Sequence, residues 1–413
     1  MKIKLRSLIG SNLLVLLTGV LILSSCTKDT NNTVETNYLL DYKKEYAMQT
    51  SFIINLLNGV ATENPEAIEL INKTNYDVEV YSIEYKTTYH EEEIIASGLI
   101  CVPAASEGFP ILSFQNGTNT SHANAPSVNI SNPMFALLQS LAGNGYIILI
   151  PDYIGFGSSE DILHPYYVKT STNSAVVDMI YAAREFIDNY SSAANYNDQY
   201  FLMGYSQGGW ATLAALEEIE ANHASEFEVE ATSCGAGAYD LINVADYIIH
   251  LDTFPSPLYL PYYIYSHQQY GSLDDPLVDF FQEPYASRIP ELFDGSHSNA
   301  YINSQLTDTV PQLLVPEFID NFLVNTEYEA LRLDLATNTV EAWTASSLLQ
   351  FHHGTADLNV PISESQNIYS DFIDLGLGSS VQFIEMEGKN HETGILPWGI
   401  NTFIWFNEIK AGL

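Results

Sequence analysis

A serine at position 206 lies in a segment that is typical of a serine nucleophile. Residues 204–208 are Gly-Tyr-Ser-Gln-Gly, which match the pattern Gly-x-Ser-x-Gly. In this pattern the serine stands on a tight turn between a strand and a helix, and the small flanking residues let the turn expose the hydroxyl. The segment follows the predicted strand 199–205 and precedes the predicted helix 210–221. This context favours Ser206 as a nucleophile over a glycine-rich helix start with a serine cap.

A serine hydroxyl needs two partners before it can attack a substrate. An imidazole must take its proton, and a carboxylate must orient that imidazole. In chains with this motif the acid and then the histidine follow the serine, on loops after later strands. Asp357 follows the predicted strand 348–352, and His391 lies on a predicted loop before the final helix. We therefore predict that Asp357 and His391 complete a triad with Ser206. Asp240 is the alternative acid.

The other histidines are predicted to play supporting or unrelated parts. His352 and His353 stand at the end of the strand before Asp357, so we expect them to support the acid loop. His164 and His267 are expected to be polar surface or cap residues.

A negative charge that develops on a substrate oxygen needs two fixed backbone N–H donors. The residue after the nucleophile supplies one of them, and a loop after an earlier strand supplies the other. Gln207 fills the first position, and Thr118 in the loop 115–118 is predicted to fill the second. Gly117 is the alternative donor, and an ordinary turn is the alternative interpretation of this loop.

The remaining sequence alternates predicted strands and helices, which is typical of an α/β fold with a mostly parallel sheet flanked by helices. Two parts of this core are predicted, at 73–240 and 347–413. Residues 241–346 interrupt the alternation with Tyr, Phe and Pro and no clear strand, so we predict an inserted, mainly helical cap. Its apolar run 254–263 is expected to wall a substrate pocket. The predicted substrate-binding residues are Tyr205, Tyr259 and Tyr262.

The N-terminus has the features of a targeting segment. Basic residues precede the apolar run 13–23, which is short for a membrane span and suits a signal peptide. Small residues before Cys26 resemble a bacterial lipobox, so we predict a signal peptide over 1–25 and a lipid on Cys26. Residues 26–72 are predicted to be a tether and an N-terminal helical segment, with a helical period over 38–57.

Composition limits the partners of this chain. Its 413 residues include 14 Lys+Arg and 51 Asp+Glu, which gives a formal net charge of −37. Such a charge argues against binding of nucleic acid or of anionic lipid head groups by the folded body. No Cys or His cluster has metal-ligand spacing, so no metal and no cofactor is predicted. We expect a monomer outside the inner membrane, lipid-anchored to the bacterial cell envelope and in contact with the membrane only through that anchor.

Four stretches together resemble a known family. They are residues 113–115 with 125–127, residues 145–157, residues 204–209, and the loops of Asp357 and His391 with residues 398–406. On these stretches the chain resembles the α/β-hydrolases of the secretory lipase family, the fungal lipases and their bacterial relatives. The resemblance implies a cap over 241–346 that shapes an acyl-binding tunnel. It also implies the same triad and the same oxyanion donors.

The resemblance and the residues together predict a serine hydrolase that cleaves carboxylic esters through an acyl-enzyme. The expected partner is a small-molecule or lipid ester, such as an acyl glycerol. Three alternatives stay open at this point. One is a peptidase that uses acids of the cap, such as Asp274, Asp275 and Glu283, to hold a peptide terminus. Another is a polysaccharide acetyl or feruloyl esterase, and the third is a non-catalytic surface lipoprotein that binds a ligand.

Overall fold

The computed structural model describes residues 36–413. The predicted signal peptide and Cys26 lie outside the described residues. Within residues 36–413, no helix combines the length and the apolar character that a membrane crossing requires.

A nine-stranded sheet runs through the described part of the chain. Its strands are β1 Leu39–Met48, β2 Val78–Tyr89, β3 Glu92–Pro103, β4 Gly108–Gln115, β5 Ile147–Pro151, β6 Asn195–Tyr205, β7 Glu228–Gly235, β8 Leu348–Gly354 and β9 Val381–Met386. The spatial order is β1-β2-β3-β5-β4-β6-β7-β8-β9. The strands β1, β2, β3 and β5 pair antiparallel, and all pairs from β5 to β9 are parallel. The predicted mostly parallel sheet is confirmed.

Helices cover both faces of this sheet. They are α1 Thr50–Ala61, α2 Ile68–Lys73, α3 Pro133–Ser140, α4 Lys169–Asn189, α5 Gln207–Glu218, α6 Leu241–Ile249, α7 Tyr259–Tyr270, α8 Tyr285–Leu292, α9 Asn299–Gln305, α10 Val310–Leu313, α11 Pro316–Asn321, α12 Glu329–Asn338, α13 Ser363–Asp374 and α14 His391–Gly412. Tyr200 and Leu202 of β6 join the apolar cluster of α4 and α5, whereas Phe201 and Met203 join that of α1 and α14. Successive side chains of this buried strand point to opposite faces of the sheet and therefore pack in two separate apolar cores.

The chain between β7 and β8 is helical. Seven helices, α6 to α12, lie in this described stretch, together with two isolated bridges at Thr253–Thr309 and Phe281–Leu314. This is the stretch in which the sequence predicted a cap. The boundaries of that cap, like the other predicted boundaries, stay a prediction.

The helical period predicted over 38–57 is wrong in its first half. Residues Leu39–Met48 form the edge strand β1, and the helix α1 begins only at Thr50. Most residues of β1 are exposed, and its pairing with β2 is interrupted by two register shifts. An exposed and bulged edge strand loses the alternation of apolar and polar residues that marks a strand in the sequence.

Candidate active site

Ser206 stands in the turn between β6 and α5. Its backbone has φ 63° and ψ −126°, a conformation that costs an ordinary residue about 1–3 kcal/mol. The end of β7 stabilises this turn, because the Ser206 N–H donates to the carbonyl of Gly235 at 2.8 Å. The turn also requires Gly208, since a Cβ at that position would lie 2.1 Å from the carbonyl oxygen of Gln115. The predicted strand, turn and helix are thus present, and the turn holds Ser206 in a strained geometry.

The structure brings the three predicted triad residues together. The Oγ of Ser206 lies 2.8 Å from Nε2 of His391, and Nδ1 of His391 lies 2.6 Å from Oδ2 of Asp357. All three side chains are buried. A carboxylate can only accept, so Nδ1 carries the ring proton and Nε2 is free to accept the proton of Ser206. This arrangement can activate a serine hydroxyl for nucleophilic attack.

The acid of this set is held by its own loop. Oδ1 of Asp357 accepts from the N–H groups of Asn359 and Val360 at 2.8 and 3.0 Å. Burial raises the pKa of Asp357, but the hydrogen bonds from His353 and His391 outweigh burial and hold this pKa below its usual range. Asp357 is therefore ionised at neutral pH and can stabilise an imidazolium.

The alternative acid has a different task. The side chain of Asp240 accepts from the N–H groups of Ile242 and Asn243, so it caps the N-terminus of α6.

Of the two strand-end histidines, His353 lies 3.4 Å from the Asp357 carboxylate and contacts the carbonyl of Val360. His352 instead bonds to the side chain of Gln350.

His391 is the first residue of α14 and does not lie on a loop before it. Asn390 caps this helix: its side chain accepts from the N–H of Thr393, whose hydroxyl accepts from the N–H of Asn390. Pro397 lies inside the helix, and a proline usually marks a helix boundary. The sequence therefore placed the start of this helix too late.

The two predicted oxyanion donors flank the nucleophile. Gln207 is the first residue of α5, where backbone N–H groups have no partner inside the helix. The loop 115–118 passes directly beside Ser206, because a Cβ on Gly117 would lie 3.8 Å from the Ser206 Cβ. Thr118 lines the same pocket as Ser206. The roles of Thr118 and Gln207, like those of the triad, stay predictions.

An apolar pocket opens beside Ser206. It has a volume of about 60 Å³, room for a few water-sized groups. Its walls come from the loop after β4, the segment before α4, the helices α6, α7 and α12, and the acid loop. The lining residues are Thr118, Tyr166, Tyr167, Ser206, Ala238, Leu241, Val244, Ala245, Ile248, Tyr259, Leu260, Tyr263, Leu335, Asn359 and Val360. The predicted residue Tyr259 is among them.

The structure does not place Tyr205 or Tyr262 in this pocket. Tyr205 is the last residue of β6 and points to the opposite core, where its ring centroid lies 5.4 Å from that of His391. The ring of Tyr262 is stacked between Tyr166 and Phe293, at centroid distances of 4.3 and 4.8 Å. Tyr263 lines the pocket instead. The helical spacing of four residues after Tyr259 is the sequence signal that could have indicated it.

Two histidines that were expected at the surface or in the cap are buried against site residues. Nε2 of His164 lies 3.0 Å from the side-chain nitrogen of Gln207. His267 on α7 contacts the Asp334 carboxylate at 2.6 Å and the carbonyl of Tyr166 at 2.9 Å. Both histidines are at most 3% exposed. No local sequence pattern marks such contacts, because the partners are far apart in the chain.

The acids proposed for a peptidase do not reach the pocket. Asp274, Asp275 and Glu283 are absent from its lining, and Glu283 bonds to the neighbouring Ser287 on the surface. Within residues 36–413, no group of three or more His, Cys, Asp or Glu side chains has a geometry that could hold a metal ion.

Part of the chain matches the sequence model of a known protein family. A sequence model of the secretory lipases matches residues 120–252. This stretch contains Ser206 and Gln207 and ends before Asp357 and His391. The predicted resemblance to the secretory lipases is confirmed over this stretch. A comparison with curated proteins finds no match.

Solved structures match nearly the whole described chain. A protein from Legionella pneumophila described as a hydrolase is 25% identical, with a TM-score of 0.80, over 90% of this chain and 98% of that one. The rice cell wall degrading esterase LipA from Xanthomonas oryzae is 24% identical, with a TM-score of 0.76, over 90% and 97%. Candida antarctica lipase A in its closed state is 16% identical, with a TM-score of 0.61, over 90% and 81%.

Proposed function

We propose that this chain, which has the α/β-hydrolase fold, is a serine ester hydrolase that acts on carboxylic esters with hydrophobic acyl groups. The observation that carries the proposal is the chain of contacts from Ser206 through His391 to Asp357, at 2.8 and 2.6 Å, beside an apolar pocket. The match to the secretory lipases supports hydrolysis of esters at a general level.

The geometry supports a reaction in two stages. Oγ of Ser206 attacks the ester carbonyl while Nε2 of His391 takes its proton, and the backbone N–H groups of Thr118 and Gln207 hold the developing oxyanion. His391 then returns the proton to the leaving alcohol, which leaves an acyl group on Ser206. A water molecule, deprotonated by His391, releases the acid and restores the serine.

A second candidate substrate class would use the same pocket. The apolar cavity of about 60 Å³ beside Ser206 has room for a small acyl group. An esterase that removes acetyl groups from a polysaccharide would use the same machinery, and the LipA neighbour is described as cell wall degrading. We therefore keep polysaccharide acyl esters as the alternative to lipid esters.

The mechanism is tested by covalent labelling. A fluorophosphonate probe should label the wild-type protein and should leave Ser206→Ala unlabelled, while hydrolysis of p-nitrophenyl acetate falls by roughly 10⁴ to 10⁶-fold in the variant. Labelling that persists in Ser206→Ala, with its mass on another residue, would contradict the proposal.

We further propose that the enzyme is a monomer that works outside the inner membrane, anchored through a lipid on Cys26. Several acyl chains on one residue hold a protein on a membrane more firmly than a single chain does. Protein from its native host should therefore sediment with membranes, and Cys26→Ser should not. An unmodified Cys26 in intact-mass spectra would refute the anchor and leave the catalytic proposal untouched.

A further inference from the structure

We propose that His164 and Tyr166 are positioning residues for the oxyanion hole, with His164 fixing Gln207 and Tyr166 fixing Thr118. The inference rests on the proposed function and adds to it a part of the chain that the triad does not use. The two residues stand two positions apart in the segment that precedes α4, and each contacts the side chain of one predicted oxyanion donor.

The first contact joins His164 to Gln207. Nδ1 of His164 lies 2.7 Å from the carbonyl of Ile154, so it must carry the ring proton. Burial lowers the pKa of His164 to about 4, which keeps the ring neutral at neutral pH. Nε2 is then an acceptor, and the amide nitrogen of Gln207 donates to it at 3.0 Å. This bond fixes the side chain of the residue whose backbone N–H stands next to the nucleophile.

The second contact joins Tyr166 to Thr118. The Tyr166 hydroxyl shares a hydrogen bond with Oγ1 of Thr118 at 2.9 Å. Thr118 is also held from the cap side, because its carbonyl accepts from the amide of Asn299 at 2.8 Å. The ring of Tyr166 stacks on Tyr262, so its hydroxyl has a fixed place. Two hydrogen bonds from different elements therefore hold Thr118, one at its side chain and one at its carbonyl, and together they limit the backbone rotations that would turn its N–H away.

The segment that carries His164 and Tyr166 is itself anchored. The hydroxyl of Ser266 on α7 accepts from the N–H of Tyr166 and donates to the carbonyl of His164, both at 2.8 Å. Gly155 allows the chain to pass against this segment: it has φ 95°, and a Cβ there would lie 2.4 Å from Cα of His164. The segment is thus a fixed base from which both contacts are made.

The need for such a base follows from how an oxyanion hole works. Its donors stabilise a transition state only when they already point at the place where charge develops. A donor on a loop, such as Thr118, has more freedom than one inside a helix. Removing a whole donor costs about 10² to 10³ in kcat. Loosening one through its side chain should therefore cost about tenfold.

The first test removes, one at a time, the two hydroxyl groups that form the hydrogen bond between Tyr166 and Thr118. Tyr166→Phe keeps the stacked ring, and Thr118→Val keeps the backbone donor. Each should lower kcat for p-nitrophenyl acetate about tenfold with KM within twofold of wild type. The double variant should be no worse than either single variant, because both remove the same bond. The control is Tyr85→Phe, which loses a buried 2.8 Å hydrogen bond to Ala175 in the core and should keep the wild-type kcat.

The second test uses two substitutions of His164, one that can keep the hydrogen bond of Nε2 to Gln207 and one that can keep the hydrogen bond of Nδ1 to Ile154. Gln places an acceptor near the position of Nε2, whereas Asn can reach only the partner of Nδ1. We expect His164→Gln to recover most of the kcat and His164→Asn to lose about tenfold. Affinity for a trifluoromethyl ketone, whose adduct carries an oxyanion, should fall in parallel with kcat/KM.

The outcomes separate this inference from the proposed function. A wild-type protein that neither cleaves p-nitrophenyl acetate nor reacts with a fluorophosphonate would contradict the proposed function. An active wild type whose Tyr166→Phe and His164→Asn variants keep kcat and inhibitor affinity would overturn the positioning role. So would a rise in KM alone, which would assign these residues to substrate binding.

Discussion

The proposed nucleophile, Ser206, holds a backbone conformation that ordinary residues avoid. The strain is sustained by the hydrogen bond to Gly235 and by the close approach of Gly208 to Gln115. Strain of this kind persists only where the surroundings determine the conformation completely. Gly235 and Gly208 thus hold Ser206 in a conformation that places its hydroxyl within hydrogen-bonding distance of His391.

The acid can be identified by substitution. Asp357→Asn keeps an oxygen for the N–H groups of Asn359 and Val360, but it removes the charge that orients His391. We expect kcat to fall by about 10⁴ with little loss of stability. Asp240→Asn should leave kcat nearly unchanged, because asparagine is as good a helix cap as aspartate. Steady-state kinetics measure kcat for both variants. A larger loss of kcat in Asp240→Asn than in Asp357→Asn would identify Asp240, on the loop after β7, as the acid.

The sequence predicted the triad residues because each has a local signal. Ser206 lies between a recognisable strand and helix, and Asp357 and His391 follow strands that end in polar loops. His164 and Tyr166 have no such signal. Their contacts with Gln207 and Thr118 span 43 and 48 residues and exist only after the chain has folded.

At the scale of elements, α6 and α7 separate two cavities. Ile248 of α6 and Leu260 of α7 line the pocket beside Ser206, and they also line a second cavity of about 10 Å³ that reaches Phe254 and Leu314. Both side chains are only 6% exposed. These two residues therefore form the partition between the two cavities.

Opening the partition should lengthen the acyl chains that the enzyme accepts. Ile248→Ala and Leu260→Ala would join the two cavities, and each further buried methylene adds up to about 0.8 kcal/mol, or roughly fourfold in kcat/KM. A series of p-nitrophenyl esters of graded length measures the profile. Ile302→Ala is the control, since Ile302 is fully buried on α9 and lines neither cavity. The same profile in folded variants and wild type would show that the acyl group binds elsewhere.

The elements themselves were predictable to different degrees. The strand β8 begins at the predicted residue, Leu348, and extends two residues past the predicted end at 352, because its apolar start is visible in the sequence and its polar end is not. The strand β1 was missed because pairing with β2, and not its own pattern, makes it a strand. The placement of Tyr262 could not be read from the sequence either, because its ring is stacked between Tyr166 and Phe293.

At the scale of the whole molecule, a buried carboxyl links stability to pH. Glu364 on α13 is 2% exposed and accepts from the N–H groups of Tyr239 and Asp240 after β7. Burial, with a smaller contribution from Asp240, raises its pKa from 4.5 to about 7. The folded state then binds a proton that the unfolded state releases above pH 4.5, so the contribution of Glu364 to the free energy of unfolding falls as pH rises towards 7 and changes no further above it.

Glu364→Gln should abolish this dependence, because the amide oxygen still accepts and no charge has to be buried. Near pH 4.5 the variant and wild type should have similar free energies of unfolding. Above pH 7 the variant should be more stable, by up to about 3 kcal/mol. Urea unfolding from pH 4.5 to 8.5 measures both, with the exposed Glu408→Gln as a control. If the difference in the free energy of unfolding between Glu364→Gln and wild type does not vary with pH, the raised pKa of Glu364 would be contradicted.

The apolar lining of the pocket bears on how the reaction would end. No Lys, Arg or His is among the residues that line it, and the whole chain carries a formal net charge of −37. Ester cleavage yields a carboxylic acid that ionises at neutral pH, and an anion is costly to keep in an apolar pocket without a cation. Under the proposed reaction, ionisation of the acid would thus favour its release from the apolar part of the pocket.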